Sequence, residues 1–332
     1  MIDLLRKNGP FRKANLHSHT TRTDGRMTAS EVKEWYKDHG YEIVAFTDHS
    51  VYSDYPELRD ERFLPIAGVE TDFCSYDPHF PQKKTISCHI NFWQEFPESP
   101  LAVYVPETHE YKVDTINTYI KAMKKNGFYC CLNHPGWSML PGNDIERIDG
   151  LDAVEVYNHG AEWNNNCGNG NIEYAMYLNS GHRAWALAAD DNHAGIGGKD
   201  IDLTHDDDTL GGWIEISMPE LTVRHFFEAF RSGSFYATQG PKIYDYYIDE
   251  SRDMIVVRCS PVKNISIKGS HIGLAAHANS NRNDITFAEF PLAGIRETNQ
   301  YFRLEIWTTD MKRAFSQPYY FESKSCRKTE KT

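Results

Sequence analysis

The stretch Ala14 to Gly25, "ANLHSHTTRTDG", decides how the chain is read. Its histidines, His17 and His19, close a short run, "FRKANLH", that reads as a strand. Alternate residues of a strand project to one side, so both imidazoles face one way and Ser18 the other. Asp24 and Gly25 then read as a turn that adds a carboxylate. Such a pair is equally at home as a surface pair at a strand end, so it acquires a function only if other ligand types converge on it.

The whole chain sets bounds on what that function is. At 332 residues, 40% hydrophobic and 13% aromatic, it suffices for one large barrel or two domains with packed cores. A net charge of -12 and a sequence pI near 5.7 oppose unspecific binding to phosphate backbones. Nucleic acid is therefore a lesser candidate partner, although bound cations could reverse the sign locally. The N-terminal "MIDLLRKNGPFRKANL" lacks the apolar core of a signal peptide and no later segment approaches a membrane span, so a cytoplasmic protein with no membrane partner is expected. Seven cysteines without a CxxC pair, two of them adjacent at Cys130 and Cys131 in an apolar run, read as buried thiols of a reducing compartment.

Along the chain, short apolar runs alternate with helical segments up to about Gly233, the pattern of an α/β domain. "TASE", Thr28 to Glu31, is a capping box that opens a helix through His39. "EIVAFTDH", "LPIAGVETDF", "TISCHINFW" and "FYCCLNHP" read as strands, with a helix over Val113 to Asn126 stopped by Gly127. "LDAVEVYNH", "IEYAMYLNSG", "RAWALAADDNH", "LGGWIEISM" and "LTVRHFFEAFRSG" continue the alternation. After "SGSFYATQGP", Ser232 to Pro241, polar and apolar residues alternate and helical periodicity is lost. That change predicts a barrel-sized α/β domain over 1–238 and a small antiparallel, sandwich-like β domain over 239–332.

Ligand-type residues fall at or just after the ends of nearly every strand of the first domain: His17, His19, His49, Glu70, His89, His134, Asp191 and His193. In an α/β barrel those ends share one face, where active sites are built. Each residue alone has an ordinary explanation as a core histidine or a surface carboxylate; together they point to a metal centre. Imidazole mixed with carboxylate and no cysteine suits zinc, manganese or iron(II) better than a structural thiolate site.

The motifs "HSHTTRTDG", "FTDHS", "GVET", "CHINFW", "NHPGW" and "DDNH", in this order, resemble those of the PHP family, named for polymerase and histidinol phosphatase domains. "VEVYN" and "RSGSFYATQGP" resemble segments of PHP proteins that carry an extra C-terminal β domain. The resemblance covers about the first two-thirds of the chain and implies a distorted (β/α)7 TIM-like barrel with metal-dependent phosphoesterase activity. It further implies two or three divalent ions: one held by His17, His19, Glu70 and Asp191; one by Glu70, His89 and His134; one by Asp24, His49 and His193. Asp190 competes with Asp191, which is preferred for its DxH pattern with His193, and His79 competes with His89, which is preferred for its strand context.

The expected chemistry is hydrolysis of a phosphate ester of a small metabolite, a nucleotide or sugar phosphate, by a hydroxide held on the metals, with Glu70, Asp191 and His193 central to catalysis. Arg22 and Lys199 are candidates to grip phosphate oxygens, and His159 to protonate the leaving group; each is equally an ordinary surface residue. Two other classes stay open: a metal-dependent hydrolase of an amide or lactone, and a glycan- or protein-binding protein on a metal-bearing barrel.

Overall fold

The computed structural model describes residues 1–96, 109–194, 208–270 and 274–322. They form two compact units, Arg6–Gly240 on the one hand and Met1–Leu5 with Pro241–Thr332 on the other.

In the larger unit the chain opens with β1 (Phe11–Asn15), crosses through α1 (Ala29–Asp38) and returns in β2 (Ile43–Phe46). The helix starts where the capping box puts it. Thr28 Oγ1 accepts from the Glu31 amide, and the Glu31 carboxylate takes the Thr28 amide at 2.8 Å. Its buried face, Val32 and Tyr36, packs on Val44, Phe46 and Phe63. Next come β3 (Leu64–Tyr76), β4 (Lys84–Gln94), α2 (Val113–Lys125), β5 (Phe128–Leu132) and the single turn α3 (Pro135–Ser138). They are followed by β6 (Ala153–Asn158), α4 (His159–Asn165), α5 (Asn171–Asn179), β7 (Trp185–Ala189), β8 (Trp213–Ser217), α6 (Val223–Ser232) and β9 (Phe235–Thr238).

These strands lie in the order β9-β8-β1-β2-β3-β4-β5-β6-β7. β1–β2–β3 and β5–β6–β7 are parallel, whereas β3–β4 and β4–β5 are antiparallel, as are β8 and β9 with their neighbours. The result is a mixed α/β unit with a large mixed sheet. Among the described residues no ladder joins β7 to β8 or β9, so the closed seven-stranded barrel expected from the motifs is not seen as a continuous ladder. β3 changes partner midway: Leu64 to Ala67 pair with β2, and Gly68 to Tyr76 with β4. That long hairpin places Glu70 and His89 in mid-strand, not at the strand ends where the sequence reading put them.

In the second unit β10 (Ile243–Asp249), β11 (Met254–Val262) and β14 (Ile285–Pro291) form an antiparallel sheet, while β12 (Asn264–Gly269) pairs with β13 (Leu274–Asn279) and β15 (Tyr301–Trp307). Tyr246 of β10 meets Phe302 of β15 edge to face. The first residues depart from the expected boundary. Ile2 and Asp3 pair with Ile248 and Tyr247, a strand addition that two residues without a visible hydrophobic period cannot announce. No helix among the described residues is long and apolar enough to cross a membrane.

Candidate metal centre

Four connections and one hairpin bring the donors together. His17 and His19 follow β1, His49 follows β2, Glu70 and His89 lie diagonally across the β3–β4 ladder, His134 follows β5, and Asp191 and His193 follow β7. Two of the donors sit in unusual backbone: Asp191 has φ 57° and His134 φ 26°, left-handed conformations that a β-carbon disfavours.

Glu70 and Asp191 form the middle. His17 Nε2 lies 3.0 Å from Asp191 Oδ1 and 3.3 Å from Glu70 Oε1; His19 Nε2 lies 3.0 Å from the same Asp191 oxygen and 3.3 Å from Glu70 Oε2. On one flank the Asp24 carboxylate stands 3.6 Å from His19 Nδ1, 3.6 Å from His49 Nε2 and 3.5 Å from His193 Nε2. On the other, His89 Nδ1 is 3.0 Å and His134 Nε2 3.6 Å from Glu70 Oε1.

The outward ring nitrogens have their own partners. His17 Nδ1 meets Glu155 Oε1 at 2.8 Å, His89 Nε2 meets Ser87 Oγ at 2.9 Å, His134 Nδ1 meets Ser138 Oγ at 3.3 Å, and His193 Nδ1 meets the Asp191 carbonyl at 2.9 Å. Such bonds fix each ring and turn its other nitrogen inward, the arrangement that supports metal-ligating imidazoles. The carboxylates are braced too: Asn133 Nδ2 donates to Glu70 and Asn158 Nδ2 to Asp191. Asp48 accepts from Thr20 N, Thr23 Oγ1 and Ser53 Oγ, pinning the loop that carries Asp24.

Burial alone would lower the His19 pKa, but Asp191 and Glu70 outweigh it and hold it up at about 10. His17 is likewise raised, its burial overcome by Asp191, Glu70 and Glu155. Glu70 and Asp191 are held well below the ordinary carboxylate range, the surrounding histidines outweighing the effect of burial. Without metal, protons on the imidazoles balance the carboxylates.

The donor set suits divalent ions. Three groups have donor atoms within 4.8 Å of one another: His17, His19, Glu70 and Asp191; His19, Asp24, His49 and His193; His49, Glu70, Asp72 and His89. Buried Glu70 Oε2 and His19 Nδ1 have no hydrogen-bond partner, the state expected of atoms that await a cation. No cysteine belongs to these groups; the six among the described residues are unpaired thiols.

A cavity of about 540 Å³ opens over the cluster, lined also by Asp72, Lys84, Trp137, Asn164 and Asn165. Among the described residues, two that were expected to meet substrate, Arg22 and His159, are not in its lining. Arg22 is exposed and donates to the Tyr52 carbonyl, away from the lining. His159 sits behind the wall, bonded to Tyr157 Oη at 2.9 Å and packed so closely on Gly211 that a β-carbon there would meet its ring at 2.2 Å. Lys199 lies outside the described residues. Lys84, on β4, is instead the cation that lines the cavity among the described residues.

The choice between neighbouring carboxylates falls to Asp191. Asp190 accepts from the backbone amides of Leu210, Gly211 and Gly212 and from Tyr36 Oη, a clamp on the next connection. His79 sits in the exposed turn between β3 and β4, not in the cluster. Glu155 and Asp72 were missed. Glu155 is concealed by its apolar strand, whereas the spacing "ETD" puts Asp72 on the same face as Glu70 and was readable.

No family model matches the chain, and no curated protein matches it. Among solved structures it is similar to PHP-like metal-dependent phosphoesterases. One, a two-domain protein from Bacteroides vulgatus containing a predicted PHP-like metal-dependent phosphoesterase, is 14% identical with a TM-score of 0.46, over 95% of this chain and 98% of that one. A second, provisionally described as a metal-dependent phosphoesterase, from Bifidobacterium adolescentis, is 14% identical with a TM-score of 0.41, over 60% of this chain and 93% of that one. A third, an amidohydrolase from Chromobacterium violaceum with bound sulfate and no metal, is 16% identical with a TM-score of 0.41, over 58% of this chain and 93% of that one. At such identities and scores the geometry of the site, not the likeness, carries the functional reading.

Proposed function

We propose that the chain is a metal-dependent hydrolase of phosphate esters of small metabolites, built on a distorted TIM-like barrel. The observation that carries this reading is the convergence of inward ring nitrogens, their outer nitrogens already bonded, on Glu70 and Asp191 at the floor of a cavity. His17, His19, Glu70 and Asp191 would hold one ion; Asp24, His49 and His193 would hold another; Glu70, His89 and His134 offer a third position. Zinc, manganese and iron(II) all suit such oxygen and imidazole donors. When bound, divalent ions neutralise phosphoryl charge and acidify water near neutral pH.

The chain's own part is binding and orientation. Glu70 and Asp191 keep the imidazoles in register, and burial of the floor excludes bulk water. The Lys84 ammonium, on the cavity wall, supplies positive charge for an anionic substrate. Trp137, whose indole N–H donates to Asn165 Oδ1 at 3.0 Å once that amide is turned, offers a fixed apolar surface for the rest of a nucleoside or sugar.

The test is phosphate release from a panel of phosphomonoesters and diesters with manganese, zinc or iron(II), each with and without chelator, beside amide and lactone substrates. Metal-dependent phosphate release is expected. Cleavage of only the amides or lactones would overturn the choice of phosphorus, and no turnover of any kind would favour a binding protein.

A further inference from the structure

Asp72 has no place in the ligand sets implied by the motifs, yet it stands among them. It lies two residues past Glu70 on β3, so both side chains leave one face of the strand, and in the β3–β4 ladder it is directly opposite His89. Its side chain is 10% exposed. Asp72 Oδ1 is 3.0 Å from His49 Nδ1 and 3.7 Å from His89 Nε2. Glu70 Oε2 is 3.1 Å from the same His49 nitrogen.

Two carboxylate oxygens therefore converge on one ring nitrogen, which carries at most one proton. The bond goes to Asp72 Oδ1, whose other oxygen, Oδ2, stands 3.8 Å from Lys84 Nζ, and Glu70 Oε2 is left over. Glu70 Oε2 is indeed without a hydrogen-bond partner. A divalent cation resolves what one proton cannot, and the donor atoms of His49, Glu70, Asp72 and His89, all within 4.8 Å of one another, surround a place for it.

We propose that Asp72 is a metal ligand, forming with His49, Glu70 and His89 a site for one divalent cation. The proposal rests on the reading of the cluster as a metal centre and changes how its donors are shared. His49 ligates through Nδ1, leaving His19, Asp24 and His193 to the neighbouring ion. His134 Nε2, 3.6 Å from Glu70 on the cavity floor, is freed to meet substrate.

Cobalt(II) reports both occupancy and ligand identity. Wild type, Asp72→Asn and Asp72→Glu are loaded with cobalt(II), counted by elemental analysis after dialysis, titrated, and compared by visible absorption. Asp72→Asn is expected to lose one equivalent, or to bind it about tenfold or more weaker with an altered spectrum at saturation. Asp72→Glu, which restores a carboxylate on a longer arm, is expected to keep the count with a shifted spectrum. Asp72→Asn with every equivalent and the wild-type spectrum overturns the proposal, as does weaker binding with an unchanged spectrum at saturation, which would make Asp72 only a partner that orients His49. If circular dichroism shows Asp72→Asn unfolded, Asp72→Glu decides, and an unchanged spectrum there overturns the proposal. Wild type that binds no metal overturns the metal-centre reading itself.

Discussion

Replacing Glu155 by Gln should disarm the centre without touching a ligand. The Glu155 side chain is buried; Oε1 takes the proton of His17 Nδ1 at 2.8 Å, while Oε2 accepts from the His134 amide at 2.7 Å and from Asn158 Nδ2 at 2.8 Å. A glutamine has one oxygen for these two sides. It must turn that oxygen toward His134 and Asn158, because an NH₂ there would face two donors. Its NH₂ then points at His17 Nδ1, which must give up its proton and accept. The neutral ring moves its proton to Nε2, the nitrogen 3.0 Å from Asp191 and 3.3 Å from Glu70. A ligand nitrogen that carries a proton cannot bind metal, so ligation now costs a change of tautomer against a hydrogen bond. Loss of such outer partners typically lowers metal affinity by about 10- to 100-fold, which is roughly 1.4–2.7 kcal/mol. Competition between the protein and a chelator of known affinity measures it, with circular dichroism to show that the variant folds. A folded Glu155→Gln that binds metal within about threefold of wild type would refute the reasoning, since the loss expected from an outer partner is at least tenfold.

The metal-free protein should be sensitive to alkali. His19 is held at about 10 against an ordinary 6.5, so its contribution to stability is complete below about 6.5 and is lost as pH rises through 10. Thermal melts between pH 7 and 10 should show the metal-free Tm falling and the metal-loaded Tm nearly level; a metal-free Tm that rises would contradict the assignment. Glu70 and Asp191 act at the other end, their contribution being present above the ordinary carboxylate range and lost in acid, where metal affinity also falls because the imidazoles must shed protons to bind. Gly25→Ala places a β-carbon 2.5 Å from the His19 carbonyl carbon and should cost about 1–3 kcal/mol while displacing Asp24; a melt together with a metal count would show it, and an unchanged Tm would not fit. Lys84→Ala should raise KM for phosphate esters with a smaller effect on kcat, whereas Arg22→Ala should leave both unchanged. Residues 6–240 produced alone are expected to fold and bind metal; a folded but metal-free product would show that the remaining residues are needed.

The candidate donors were legible because their chemistry is local in sequence. The "HSH" pair follows from the two-residue period of a strand, and "DDNH" holds Asp191 and His193 at the same two-residue spacing. The capping box at Thr28 and Glu31 was equally plain, since both halves of the motif lie within one turn. What failed depended on distance. The Arg22 side chain turns to the Tyr52 carbonyl 30 residues on, and His159 packs on Gly211; neither direction is written near those residues. Lys84 sits inside the cavity only because β3 and β4 extend as a long hairpin, which the expectation of a parallel barrel hid. Glu155, in the apolar run "AVEVYN", looked like an ordinary inward position of a strand; that it receives three donors requires knowing that β6 passes beside His17 and His134.

The contact of His19 Nε2 with Asp191 Oδ1 spans 172 residues. A ribosome adding about 5–20 residues per second takes roughly 9–35 s to make that interval. Through that time the emerging chain presents histidines whose partner carboxylate does not yet exist. Unlike a zinc finger, which captures its ion within one short segment and folds around it, the group of His17, His19, Glu70 and Asp191 is incomplete until residue 191 is made, whereas His49, Glu70, Asp72 and His89 are all present by residue 89. A cation in the first group would enter late, and its uptake can serve as a clock for the completion of the fold during synthesis.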